Sequence, residues 1–194
     1  MKKELDEALC AKYPKIFADR HKSMMETCMC WGFDHGDGWY NIIDQLCRQI
    51  QWRIDQTAEF NERCRKEETL REACRNGNWT EFEATCGHWR KKDYAYFQRK
   101  RDEMLEPIPE WLKPKPDIPQ VVADQVKEKY GTLRFYYHGG DDYIHGLVAM
   151  AEAMTAVTCE HCGAPGKERG GGWIRTLCDE HAQERYKNLE EHDS

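Results

Sequence analysis

Residues 158–186 read "TCEHCGAPGKERGGGWIRTLCDEHAQERY". Cys159 and Cys162 form a C-x-x-C pair followed at once by Gly163, and a fifteen-residue spacer leads to the C-x-x-H pair Cys178 and His181. Four soft or borderline donors at this spacing form a set suited to one zinc ion. A C-x-x-C-G turn aims two thiolates at a single point, with Gly163 supplying the positive φ that such a turn requires. "GGGWIRTL" supplies a flexible reversal and a short strand, and "DEHAQERYKNLEE" a final helix whose first turn holds Cys178 and His181 on one side. A knuckle, a hairpin and a helix start converging on one ion is a treble-clef arrangement. Four protein donors complete a tetrahedron, so the expected Zn2+ is single and structural, without an open position for chemistry. His161, between two ligands, is expected to point to solvent.

Working back from this module, residues 107–119 "PIPEWLKPKPDIP" hold five of the seven prolines. That stretch cannot be helical and should run as an extended connector. Before it, Trp39, Ile42, Ile43, Leu46 and Ile50 share one helical face, and a sparser, highly charged pattern carries that helix towards Cys74. Asp37 is placed to cap it. After the break "RNGNWT", Trp79, Phe82, Cys86, Trp89 and Tyr96 form a second stripe ending near Leu105, so the spacing predicts two antiparallel helices joined at Asn76-Gly77-Asn78. Beyond the connector, "QVVADQVKEKYG" reads as a helix closed by Gly131, and "TLRFYYH" alternates as a strand. Gly139-Gly140 turns the chain. Asp141 or Asp142 then caps a helix burying Ile144, Leu147, Val148, Ala151 and Met154.

The expected fold class is therefore α+β, mainly α-helical: a long helical hairpin, a small strand-containing core and the zinc module. The expected division is residues 1–51 as the first part of the core, 52–106 as an inserted helical hairpin, and 107–119 as the connector. Residues 120–157 follow as a helix-strand-helix part of the core, and 158–194 as the zinc module.

Composition narrows the classes. The 194 residues include seven Trp, nine Tyr and six Phe, too many large apolar groups for a disordered chain. No apolar run approaches the ~18 residues of a membrane span, and the N-terminal stretch lacks a signal-peptide pattern, so a cytoplasmic protein with no membrane partner is expected. Ten cysteines in such a protein read as thiols or metal ligands rather than disulfides. Residues 52–113 carry 13 Lys+Arg against 13 Asp+Glu, so the net charge of -6 belongs to the flanking frame, which does not favour broad attraction to phosphates.

Three further constellations are candidates. Cys28, Cys30, His35 and Cys47 could form a second metal site, although C-x-C is less typical of zinc and cysteine is a common core residue. "YHGGDD" resembles the acidic turns that bind paired magnesium ions, but a helix pattern follows it, so a turn with a helix cap is the better account. The stretch 88–101 interleaves Trp89, Tyr94, Tyr96 and Phe97 with Arg90, Lys91, Lys92, Arg99, Lys100 and Arg101. Arg90, Tyr94, Phe97 and Arg101 share a helical face that could meet phosphates and bases, or the rings could pack inward beneath solvated cations, the commoner arrangement. No G-x-S-x-G, P-loop or H-E-x-x-H occurs, and residues 163–177 contain no His or Asn of the kind a treble-clef nuclease would need.

The segments "YPKIFADRHKSMMETCMCWGFDHGDGWYNIIDQLC", "QVKEKYGTLRFYYHGGDDYIHGLVAMAEAM" and "TCEHCGAPG" with "GWIRTLCDEH" resemble, over residues 9–51 and 118–189, a family of bacteriophage- and prophage-encoded proteins that carries no assigned activity. The resemblance implies that residues 52–117 are an insertion and that a cysteine is usual where this chain has His35. It also implies a viral protein acting in the cytoplasm of a bacterial host. Such a protein is expected to be a non-catalytic interaction protein that inhibits a host nucleoprotein or defence complex, for example as an anti-CRISPR, without a small-molecule substrate. A nucleic-acid-binding regulator using residues 89–101 is the alternative, and a metal-dependent nuclease the third reading.

Overall fold

The computed structural model describes residues 1–170 and 173–192, with side chains as far as Lys187. The fold is α+β and mainly helical, with a three-stranded sheet and a separate two-stranded one. Contacts divide the chain into one compact unit of residues 1–54 and 118–194 and another of residues 55–117. No helix among the described residues is long and apolar enough to cross a membrane.

In the first unit, α1 (Lys3–Lys12) precedes a long loop and the two-residue strand β1 (Phe33–Asp34). The loop is pinned by charge: Arg20 grips Asp6 through Nε at 3.1 Å and Nη2 at 2.9 Å, and donates to the Cys30 carbonyl at 2.9 Å. A short 3-10 turn, Asp37–Trp39, opens α2 (Tyr40–Arg75). Asp37 is not its cap; its carboxylate accepts the Lys2 backbone N–H at 2.7 Å and faces the Lys2 ammonium at 3.2 Å. Trp39, Ile43 and Ile50 are fully buried with Leu9, Ile16, Met29 and Ile144 in one core.

The segment expected as a helix before Gly131 is a strand. β2 (Val122–Lys129) pairs parallel to β1 and antiparallel to β3 (Thr132–His138). A bulge at Asp124 explains the misreading: it leaves Ala123 and Val126 both buried, three residues apart, so the strand imitates helical spacing. Tyr130 and Gly131 have φ of 55° and 79°, as a two-residue hairpin turn with both φ positive requires. Residues 120–157 therefore run strand-strand-helix.

The helix α6 (Asp142–Thr155) is capped by Asp141, whose carboxylate accepts the Ile144 N–H at 3.0 Å. It lies along the open edge of β3. The Leu133 N–H donates to Thr155 Oγ1 and the Phe135 N–H to Glu152 Oε1, each at 2.9 Å, so α6 side chains satisfy donors that a neighbouring strand would otherwise take. Its buried face is Ile144, Val148, Ala151 and Thr155; Met154, expected inside, is 47% exposed because Thr155 takes the inward position.

In the second unit the later half of α2 forms one arm of a helical hairpin, and Gly77 (φ 84°) makes the turn. The return arm is three helices rather than one: α3 (Thr80–Cys86), α4 (Trp89–Lys92) and α5 (Tyr94–Leu105). The break comes at Asp93, whose carboxylate caps α5 by accepting the Tyr96 N–H at 2.9 Å. The re-phasing buries Phe97 instead of Tyr96, and Phe97 joins Cys74, Phe82 and Met104 in a separate small core. Buried Arg71 pairs with Glu67 at 2.8 Å and donates to the carbonyls of Glu103 and Glu106, the last acceptors of α5. The proline segment is extended except for a 3-10 turn at Glu110–Leu112. Buried Asn61 holds it as a peptide would, donating to the Lys115 carbonyl and accepting the Lys115 N–H, both at 2.8 Å.

Candidate metal centre

Cys159 stands four residues past the end of α6, in a loop tied on both sides. Its N–H donates to the Ala164 carbonyl at 2.7 Å, and its carbonyl accepts the Gly163 N–H at 2.9 Å. Gly163, with φ 77°, closes the turn in the left-handed conformation, as C-x-x-C-G requires. The chain returns through β4 (Lys167–Arg169) and β5 (Arg175–Leu177), which pair antiparallel. Of the glycines expected to form the reversal between them, 171 and 172 lie outside the described residues. β5 delivers Cys178 to the start of α7 (Asp179–His192), and His181 stands in that helix's first turn.

These elements bring the four expected ligands together: their ligand atoms all lie within 4.8 Å of one another, a group that could hold a metal ion. Cys178 Sγ is 3.1 Å and Cys159 Sγ 3.7 Å from His181 Nδ1, and Cys162 Sγ is 3.9 Å from Cys178 Sγ. Zinc bonds of ~2.3 Å to sulfur and ~2.0 Å to nitrogen set tetrahedral edges of about 3.4–3.8 Å. The three separations bracket these edges, as in a group that could hold an ion. Burial raises the Cys159 thiol, but the backbone N–H groups of Cys178, Cys162 and His161 outweigh it and hold the group below its ordinary value, favouring the thiolate. His181 is raised by the Cys178 sulfur beside it. It turns Nδ1 to the thiols and leaves Nε2 4.0 Å from the exposed Glu184 carboxylate, beyond hydrogen-bond range. His161 is exposed, its ring 5.1 Å from that of His181.

The knuckle is seated on the core by residues whose role the sequence reading missed. The Gly38 N–H donates to the Glu160 carbonyl at 2.7 Å, the Gly36 N–H to Glu160 Oε1 at 3.0 Å, and the Trp39 indole to the Thr158 carbonyl at 2.9 Å. A β-carbon on Gly36 would stand 2.3 Å from the Glu160 carbonyl oxygen, so only glycine fits. The sequence signal for this seat is the pair of glycines flanking Asp37 ahead of Trp39.

The other candidates fare differently. Cys28, Cys30, His35 and Cys47 are not gathered. Cys28 is exposed, the Cys30 thiol bonds the Thr27 carbonyl at 3.2 Å, and His35 Nδ1–H donates to the Gly36 carbonyl at 2.8 Å. Cys47 is fully buried in the core, where burial pushes its thiol well up. Asp141 is a helix cap paired with Arg53 at 3.0 Å. In the 89–101 stretch, Phe97 is buried and Trp89 packs beside it. The cations sit over the protein's own rings: Arg90 4.8 Å above Phe97, Arg99 5.2 Å and Lys100 5.8 Å above Tyr96, Lys92 5.9 Å above Trp89, and Arg101 4.8 Å above Trp79. Tyr94 is 59% exposed, and Lys91 is also exposed.

Comparison of the chain with protein-family models, with curated proteins and with solved structures finds no match.

Proposed function

We propose that the ion at Cys159, Cys162, Cys178 and His181 is Zn2+, that the knuckle, hairpin and helix around it form a treble clef, and that its role is structural. The observation carrying this reading is the closed set of four donors, which leaves no coordination position for water or substrate. On this reading the protein works by contact, not turnover: a phage-encoded inhibitor that binds a host nucleoprotein or defence complex in the bacterial cytoplasm, as an anti-CRISPR does. The resemblance of residues 9–51 and 118–189 to phage proteins supports it, as does the separate compact unit of residues 55–117, which offers a surface of its own.

The nucleic-acid regulator ranks second, since the rings that would stack on bases mostly carry the protein's own cations. The nuclease ranks third, with Asp141 committed to a cap and an ion pair.

The test is expression in bacteria with defined CRISPR or restriction systems, followed by phage challenge and affinity capture. Restored plaque formation with a defence complex recovered on the tagged protein is the expected result. Defence undiminished in every strain, with salt-sensitive nucleic-acid binding by the purified protein, would replace this reading with the second.

A further inference from the structure

The helix α6 presents to solvent a face unlike the rest of this charged chain. Residues 135–166 contain no Lys or Arg at all. Tyr143 is 52%, Met150 64% and Met154 47% exposed, and Val157, in the turn that follows the helix, is 64% exposed, with Leu147 half-buried among them. Their spacing is four, three, four, three. Gly146, Ala149 and Ala153 stand exposed alongside, and the space next to Gly146 is open to 4 Å. The acidic groups nearby are turned away or terminal: Glu152 bonds the Phe135 N–H, and Asp142 lies at the helix start. His145 is the one other polar side chain exposed on the helix.

Apolar positions repeating every 3.5 residues are what a helix needs to pack along a second helix at a shallow left-handed crossing. Beside them, small side chains let two backbones approach closely. The stripe is also nearly symmetric about its centre: Met150 has Tyr143 and Val157 seven residues to either side, with Leu147 and Met154 between. We infer that a second copy of the chain covers this face, two α6 helices pairing antiparallel about a two-fold axis at Met150. Tyr143 then meets Val157 of the other copy, and Leu147 meets Met154. An isologous interface needs a patch complementary to itself, and an apolar, nearly centrally symmetric stripe is one.

The chemistry argues against other occupants. An interfacial helix on anionic lipid carries Lys and Arg beside its apolar face, and a nucleic-acid surface needs them for phosphates; residues 135–166 have neither, and Arg53, which lies 5.2 Å over the Tyr143 ring at one end of the stripe, is paired with Asp141. Although the chain carries a net charge of -6, the seam itself brings no like charges together. Side chains about half exposed over four turns give each copy several hundred Å², for a total on the order of 1,000 Å² in the pair, the lower end of specific interfaces. Association is therefore reversible, on the order of micromolar rather than obligate.

Sedimentation equilibrium of the zinc-loaded full-length protein, from about 1 to 200 micromolar, reads this directly. The expected result is a monomer–dimer equilibrium that Met150→Glu weakens at least about tenfold by placing two carboxylates at the axis. Met150 is 64% exposed in the single chain, so the variant should keep the circular dichroism spectrum and unfolding midpoint of the parent. Trp111→Glu, at an exposed site in the second unit, should leave association unchanged. A strictly monomeric protein at the highest concentration overturns the proposal, as does a dimer indifferent to both Met150→Glu and Met154→Glu. A face that instead captures a different protein while the chain stays monomeric overturns it as well.

Discussion

Gly38 and Cys159 touch so closely that a β-carbon on Gly38 would lie 2.2 Å from the Cys159 carbonyl oxygen, and 2.4 Å from the Gly163 nitrogen. Both obstacles are backbone atoms of the turn that aims two thiolates at the candidate ion, so neither can swing aside as a side chain would. Core and knuckle are thus packed as one body at this point, so an ion held by the knuckle would also brace the helix start at Trp39. Gly38→Ala should destabilise the protein by about 3 kcal/mol, at the upper end for overpacking, and weaken zinc retention against a chelator. Gly146→Ala, with open space around it in the single chain, should stabilise the monomer slightly when measured at low concentration, since alanine is the better helix former. Chemical denaturation of the two variants checks the contrast; equal midpoints would mean the seat is not rigid.

Elemental analysis should give one zinc per chain, falling to none in Cys178→Ala. A structural zinc of this type contributes about 10–16 kcal/mol to its module, so its loss should unfold β4, β5 and α7. The small core of Cys74, Phe82, Phe97 and Met104 holds no ligand, so much helical circular dichroism should survive. Trp39 fluorescence should change, because its indole bonds the Thr158 carbonyl beside the knuckle.

Stability should fall below neutral pH through His35. Burial pushes this imidazole down to about 4 from its ordinary 6.5, against the opposing pull of the Gly36 carbonyl on Nδ1–H. Protonation would add a second N–H at Nε2, which is buried without a partner. Between pH 6.5 and 4 the unfolded chain binds the extra proton and the folded one does not, so stability drops as pH falls. The slope reaches about 1.4 kcal/mol per pH unit, for a total of about 3 kcal/mol. His35→Phe keeps a ring between Phe33 and Trp39 but cannot titrate, so its stability should depend less on pH by that amount. Both proteins keep the four metal ligands, so acid release of zinc cancels in the comparison.

What the sequence made legible was local chemistry. The spacing of Cys159, Cys162, Cys178 and His181 needs no long-range information, because each pair is set by one turn. The 36-residue α2 was likewise legible from its apolar repeat. What misled was a pattern whose meaning depends on a partner. The bulge at Asp124 makes β2 look helical until β3 is placed beside it, and Asp93 re-phases α5 so that Phe97 replaces Tyr96. The glycines of the seat, Gly36 and Gly38, stand in plain view in the sequence, but what they seat does not, since Glu160 lies over 120 residues away.

The edge of β3 offers the sharpest test of the packing between strand and helix. Thr155 is fully buried, and its Oγ1 accepts the Leu133 N–H at 2.9 Å while its hydroxyl donates to the Glu152 carbonyl at 2.6 Å. Thr155→Val keeps the shape but removes the acceptor, leaving a buried backbone N–H without a partner, at a cost of about 1–3 kcal/mol. Thr155→Ser keeps the oxygen and loses one methyl group, worth about 1 kcal/mol through the small cavity it leaves. The order of stability should therefore be Thr, then Ser, then Val, although valine is the more apolar residue and hydrophobic burial alone would rank it above serine. Urea denaturation at constant zinc measures all three. A valine variant more stable than the serine one would show that Leu133 finds another acceptor and that α6 covers the edge by apolar packing alone.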